Sequence, residues 1–183
     1  SRGGHIAFRV AQRFPDRVRA LILAEPGGSL DGTLQAAAQD AAPAPRAGMT
    51  LAEAIAGAAE LVRAGDTDAG LALFVEAVLG PGAWARSAGR VVRMQRDNAR
   101  TLLAQIDERR APYTRADMEA IRAPTLLIGG ADTPVLFPPI LDAMERWIAG
   151  AERAAIPGAT HMMSDENPAA FNRAVLDFLE RRG

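Results

Sequence analysis

Residues 124–134 read Pro124-Thr125-Leu126-Leu127-Ile128-Gly129-Gly130-Ala131-Asp132-Thr133-Pro134. A proline precedes a short apolar run, and a pair of glycines followed by Asp-Thr-Pro ends it. A run that is apolar at successive positions, rather than at alternate ones, is typical of a strand buried on both faces, as in a parallel sheet. This stretch therefore predicts a buried strand over about 124–128, followed by a polar turn.

Two further stretches have the same form on either side of it. Residues 18–24 are an apolar run between Pro15-Asp16 and Pro26-Gly27-Gly28, and residues 152–156 precede the turn 157–161. Helical periodicity lies between and around these runs; residues Ile6, Ala7, Val10, Ala11 and Phe14, for example, share one face of a predicted helix. Strands that alternate with helices predict an α/β fold with an open parallel sheet.

The middle of the chain has a different character. Residues 33–122 are rich in alanine and in helix-forming segments, and Thr50-Leu51-Ala52-Glu53 has the capping-box form of a helix start. We therefore expect an α/β core formed by 1–32 and 123–183, with a helical cap over 33–122. Phe74, Trp84 and Met94 belong to this middle part, where they either pack in its core or line a substrate pocket.

The composition excludes several classes of function. The chain has 183 residues, a formal net charge of −1 and no cysteine, so a nucleic-acid surface, a disulfide framework and a thiolate zinc site are not expected. Two histidines make a multi-histidine metal site improbable. No apolar run has the length of a membrane span. We expect a small-molecule substrate, no metal or other cofactor and, by default, a cytoplasmic location; the sequence gives no oligomeric state.

Three polar residues stand where an open α/β sheet carries its functional groups, beyond the carboxyl ends of strands. Asp132 follows the strand at 124–128, and His161 follows the strand at 152–156. Ser1 opens Ser1-Arg2-Gly3-Gly4, which has the form of the second half of a G-x-S-x-G nucleophile elbow and precedes a helix. The order along the chain is Ser, Asp, His.

On residues 1–4, 124–134 and 156–161 the chain resembles the C-terminal part of an α/β-hydrolase fold protein with a helical lid. The resemblance implies a nucleophile at Ser1, a base at His161 and an orienting carboxylate at Asp132. It also implies an oxyanion-hole donor in the backbone N–H of Arg2. Glu25 is the alternative acid, because some members of the family carry their carboxylate after the corresponding strand. The strands that the family has before its elbow are expected to be missing here.

These residue types suit acyl transfer, because a serine hydroxyl is a weak nucleophile until a neighbouring base removes its proton. The expected function is a serine hydrolase that acts on an ester or related acyl compound through an acyl-enzyme. The same fold also leaves open a C–C bond hydrolase, a lactonase or a haloperoxidase-like activity. A further alternative is a non-catalytic fragment or binding module, since parallel strands at an open edge favour association with another segment.

Overall fold

The predicted α/β class with a parallel sheet is confirmed by the computed structural model, which describes residues 1–41, 50–134 and 136–182. The described strands form one sheet in the order β1-β2-β3, and both neighbouring pairs are parallel. The strands are β1 (Leu21–Ala24), β2 (Thr125–Gly130) and β3 (Glu152–Ile156).

The central strand β2 is buried at every position, as its continuous apolar run predicted. Ile128 of β2 lies opposite Ala24 of β1 on one side and Ala154 of β3 on the other. The carboxyl ends of the strands therefore meet at one edge of the sheet. The first strand is shorter than the predicted 18–24, because the N–H of Val18 closes a 3-10 turn on Pro15 and the pairing with β2 begins only at Leu21.

Helices precede, separate and follow these strands in the order of the chain. They are α1 (Arg2–Arg13), α2 (Gly32–Ala41), α3 (Leu51–Arg63), α4 (Thr67–Leu79), α5 (Ala83–Arg86), α6 (Gly89–Asn98), α7 (Thr101–Gln105), α8 (Arg115–Glu119), α9 (Pro138–Trp147), α10 (Met163–Glu166) and α11 (Pro168–Glu180).

Helix α1 is confirmed, but the residues it buries differ from the predicted apolar face. His5, Phe8 and Ala11 are buried, whereas Ile6 and Phe14 are each 57% exposed. Apolar residues occur on more than one side of this helix, and the side facing the core is selected by contacts far along the chain. The ring of Phe8 packs edge-on against Tyr113 with a centroid separation of 4.9 Å.

The chain divides into two compact units. The sheet unit contains the described residues 1–41 and 110–182, and the helical unit contains the described residues 50–109. The helical unit is shorter than the predicted insertion over 33–122. The difference arises because Leu34, Tyr113 and Met118 are buried in the same hydrophobic core as Leu127 of β2. Whether the helical unit acts as a cap stays a prediction.

The helical unit is built around α3 and α4. The capping box at the start of α3 is confirmed: Thr50 Oγ1 accepts a hydrogen bond from the Glu53 N–H at 3.2 Å, and the Glu53 carboxylate accepts one from the Thr50 N–H at 2.7 Å. The two helices approach closely, because a methyl group on Gly70 of α4 would lie only 2.6 Å from the carbonyl oxygen of Ala58. Glycine at that position is what permits this packing.

Candidate active site

Glu25 directly follows β1 and extends its pairing with β2. Its backbone N–H donates to the carbonyl oxygen of Ile128 at 3.0 Å, and its side chain is fully buried. The φ angle of Glu25 is +41°, a left-handed conformation that costs energy for a residue with a side chain. The chain therefore turns sharply at Glu25 and carries its carboxylate into the end of the sheet.

The Glu25 carboxylate has three hydrogen-bond partners at this position. Oε1 accepts from the backbone N–H of Gly130 at 2.9 Å, and Oε2 accepts from the hydroxyl of Thr133 at 3.0 Å. Oε2 also lies 2.6 Å from Nδ1 of His161. A buried carboxylate is tolerated only when its oxygens are hydrogen-bonded, and these partners meet that requirement.

His161 is reached by a turn that follows β3 and returns across the end of β2. A methyl group on Gly130 would overlap the carbonyl oxygens of Ala159 and Thr160, so only glycine allows this turn to lie against the strand. The backbone N–H of Thr160 donates to the Glu166 carboxylate at 2.6 Å, and the Thr160 hydroxyl donates to the same group. The turn is thus held against β2 at Ala159 and Thr160, and Thr160 is tied to Glu166 beyond His161.

The imidazole ring of His161 is held by two kinds of contact. It stacks on Phe137 with a centroid separation of 4.0 Å and an interplanar angle of 4°, and its Nδ1 faces the Glu25 carboxylate. Because an ionised carboxylate can only accept, the neutral ring carries its hydrogen on Nδ1. The other nitrogen, Nε2, is then the basic one. This is the tautomer that a general base requires.

Ser1 lies at the same edge of the sheet. Its backbone nitrogen donates to the carbonyl oxygen of Ala24 at 3.0 Å, and its carbonyl oxygen accepts from the Gly27 N–H at 2.8 Å. Helix α1 starts immediately afterwards, and Gly4 in its first turn packs so tightly that a methyl group there would lie 2.9 Å from Cα of Pro26. Gly4 thus allows the first turn of α1 to lie against Pro26, whereas a methyl group on Gly3, the glycine of the predicted elbow motif, would meet no atom within 4 Å; the elbow stays a prediction.

The structure brings some of the predicted site residues into contact and leaves others apart. His161 is paired with Glu25, the alternative acid of the sequence prediction, while the side chain of Asp132 is exposed. Asp132 takes part through its backbone, whose N–H donates to the carbonyl oxygen of Ala159 at 2.9 Å. Among the hydrogen bonds of the described residues, none joins the Ser1 hydroxyl to His161.

The remaining predicted residues are distributed over both units. Arg2 is the first residue of α1, so its backbone N–H belongs to the first turn, whose N–H groups point toward the N-terminal end of the helix. Its role as an oxyanion-hole donor stays a prediction. Phe74 and Trp84 pack partly buried against the core of the helical unit, and Met94 is 50% exposed. A role in lining a substrate pocket stays a prediction for these three.

Thr133 contacts Glu25 and Phe137 contacts His161, and the sequence alone predicts neither contact. Thr133 lies in the polar turn that follows β2, and no neighbouring residue in the sequence indicates that it bonds to Glu25. Phe137 had the pattern of an ordinary apolar residue before a helix. Only the proximity of three strand ends, each from a distant part of the chain, could have identified them.

No group of three or more histidine, cysteine or acidic side chains in the described parts of the chain is arranged to hold a metal ion. Among the helices that the structure describes, none combines the length and the apolar character needed to cross a membrane.

A family model described as alpha/beta hydrolase fold matches residues 1–168. Among solved structures, a hydrolase from Pseudomonas aeruginosa PA01 is similar at 28% identity and a TM-score of 0.67, over 96% of this chain and 61% of that one. A thermophilic esterase from Thermogutta terrifontis is similar at 22% identity and a TM-score of 0.68, over 100% of this chain and 63% of that one.

An enol-lactonase from Burkholderia xenovorans LB400 shares the fold at 20% identity and a TM-score of 0.68, over 98% of this chain and 63% of that one. The chain thus spans less than two thirds of the length of each of these proteins. A comparison with curated proteins gives no match.

Proposed function

Because the chain belongs to the alpha/beta hydrolase fold family, we propose that it is the nucleophile-bearing part of a serine hydrolase that cleaves an ester or related acyl compound. Ser1 is the nucleophile, His161 is the general base and Glu25 is the carboxylate that orients the base. The observation that carries this proposal is the 2.6 Å contact between His161 Nδ1 and the fully buried Glu25, at the sheet edge where Ser1 also lies.

In the proposed reaction, the Ser1 hydroxyl oxygen attacks the substrate carbonyl carbon while Nε2 of His161 takes the hydroxyl proton. The tetrahedral intermediate places a negative charge on the former carbonyl oxygen, and the backbone N–H of Arg2 is the proposed donor to it. Collapse of the intermediate expels the leaving group, which takes the proton from His161. Water then attacks the acyl-enzyme by the same steps, with His161 again acting as base and then as acid.

Glu25 acts through His161 in this scheme. Its carboxylate accepts the Nδ1 hydrogen, holds the ring in the reactive tautomer and stabilises the positive charge that forms on the ring. The assignment moves the orienting role from Asp132 to Glu25. It is supported by the burial and the hydrogen bonds of Glu25 and by the exposure of Asp132.

The proposal is tested by hydrolysis of p-nitrophenyl esters of short fatty acids. The protein is expressed together with any residues encoded upstream of Ser1, and compared with Ser1→Ala and with Ser87→Ala, a serine on the helical unit. We expect Ser1→Ala to lose at least about 10³-fold in kcat/KM, as for the loss of a serine nucleophile. We expect Ser87→Ala to remain near the unchanged protein. Hydrolysis that persists in Ser1→Ala would contradict the nucleophile assignment.

A further inference from the structure

Gly27 lies beside both the side chain of Ser1 and a positively charged side chain, that of Arg110. A methyl group built on Gly27 would lie 3.5 Å from the Ser1 hydroxyl oxygen and 3.4 Å from Nη1 of Arg110. Both distances are ordinary van der Waals contacts, so the hydroxyl and the guanidinium lie on the same side of Gly27. The same methyl group would lie 3.3 Å from the carbonyl carbon of Ser1, so glycine allows the chain to pass close to the candidate nucleophile.

The segment after Arg110 is fixed to the loop that contains Gly27. Arg9 donates hydrogen bonds of 2.9 Å to the carbonyl oxygens of Ala111 and Pro112. The fully buried Tyr113 donates its hydroxyl hydrogen to the carbonyl oxygen of Gly27 at 2.8 Å. Arg110 is therefore held next to the candidate nucleophile by contacts within the sheet unit, although more than a hundred residues separate it from Ser1 along the chain.

The charge of the Glu25 carboxylate gives the Arg110 guanidinium a role in binding a negatively charged substrate at Ser1. A negative charge also acts at Ser1: it is that of Glu25, whose carboxylate accepts hydrogen bonds from Gly130 and Thr133 and faces His161. That buried negative charge would repel an anionic substrate, since Coulomb interactions are strong in a partly buried site. The guanidinium of Arg110 offsets the repulsion, and its planar fork matches the geometry of a carboxylate.

We infer that Arg110 determines specificity and that the preferred substrates are acyl compounds carrying a carboxylate near the scissile carbonyl. This inference rests on the proposed function, because it places the substrate at Ser1. Arg110 binds the substrate carboxylate through charge-assisted hydrogen bonds while the carbonyl carbon faces the Ser1 hydroxyl. The expected effect lies mainly in KM, since the carboxylate does not change its charge during the reaction.

The test uses two esters that differ only at the end of the acyl chain, mono-p-nitrophenyl glutarate and p-nitrophenyl valerate. We expect the protein to prefer the glutarate ester by about 10-fold or more in kcat/KM. In Arg110→Gln this preference falls by about 10- to 100-fold, chiefly through KM, while hydrolysis of the valerate ester is nearly unchanged. Arg109→Gln is the matched control, since Arg109 is an exposed neighbour belonging to the helical unit.

Two further measurements keep the inference testable if Arg110→Gln does not fold. Arg110→Lys keeps the positive charge but loses the planar guanidinium that can donate two parallel hydrogen bonds to a carboxylate. It should therefore retain part of the preference for the glutarate ester. In the unchanged protein, glutarate should slow the labelling of Ser1 by a fluorophosphonate at concentrations where the uncharged valeramide does not. High salt should weaken this protection.

The outcomes separate this inference from the function on which it rests. Hydrolysis of both esters without preference for the glutarate ester, or a preference that survives in Arg110→Gln, overturns the role of Arg110 and leaves the serine hydrolase intact. If the unchanged protein is neither modified by the fluorophosphonate nor able to hydrolyse either ester, the proposed function is wrong. The inference about Arg110 is then wrong as well, because it rests on that function.

Discussion

At the scale of single residues, the choice between Glu25 and Asp132 shows how burial decides chemical role. Both carboxylates follow a strand of the same sheet, but only Glu25 is buried and directed at His161. Asp132 contributes a backbone N–H and exposes its side chain to solvent. An exposed carboxylate would be screened by water and would hold the imidazole weakly.

We predict that Glu25→Gln lowers kcat/KM for p-nitrophenyl esters by about 10³- to 10⁴-fold. The amide can place its NH2 group against Nδ1 of His161, which moves the ring hydrogen to Nε2 and removes the base. Asp132→Asn should change kcat/KM only a few-fold. The opposite ranking of these two variants would return the orienting role to Asp132.

Gly130 is the second single residue on which the site depends, because only glycine leaves room for the turn that carries His161. We predict that Gly130→Ala lowers the free energy of unfolding by about 1–3 kcal/mol, since the added methyl group must push against backbone carbonyl oxygens. Gly32→Ala is the control, because a methyl group there would meet no atom within 4 Å. Its effect should remain within about 0.5 kcal/mol in a urea titration followed by circular dichroism.

At the scale of elements, the sequence predicted the strands and helix starts more successfully than the contacts between them. The strand over 152–156 and the capping box at Thr50 are both confirmed. These features depend on neighbouring residues, so local patterns determine them. The start of β1 was predicted three residues early because the 3-10 turn after Pro15 was not recognised.

The pairing of Glu25 with His161 could not be derived in the same way. It depends on the register of β1 against β2, on the left-handed backbone at Glu25 and on a turn more than a hundred residues away. The same holds for Arg110, whose proximity to Ser1 depends on Tyr113 and Arg9. The sequence identifies which polar residues follow a strand, but tertiary contacts determine which of those side chains contact one another.

The capping box of α3 gives an element-scale prediction in the helical unit. Thr50→Ala should lower the free energy of unfolding of this unit by about 1 kcal/mol, because the N–H of Glu53 loses its acceptor. Thr50→Ser keeps the hydroxyl and should cost much less. Amide hydrogen exchange in the first turn of α3 measures the effect directly, and equal exchange rates in the two variants would contradict it.

At the scale of the whole molecule, the proposed reacting groups and Arg110 all lie in the sheet unit. The helical unit has its own core, in which Phe74 and Trp84 take part. The chain spans less than two thirds of the length of the related hydrolase structures, so the activity of the whole protein remains a proposal. The family and the parallel sheet do not depend on that proposal.

The most direct test of the central claim is to identify the residue that a fluorophosphonate modifies. The protein, with any residues encoded upstream of Ser1, is labelled and digested, and the modified peptide is sequenced by tandem mass spectrometry. We predict modification at Ser1, at a rate that falls about 10³-fold in Glu25→Gln. Modification at Ser29, Ser87 or Ser164 instead, or an equal rate in Glu25→Gln, would contradict the claim that Ser1, His161 and Glu25 act together.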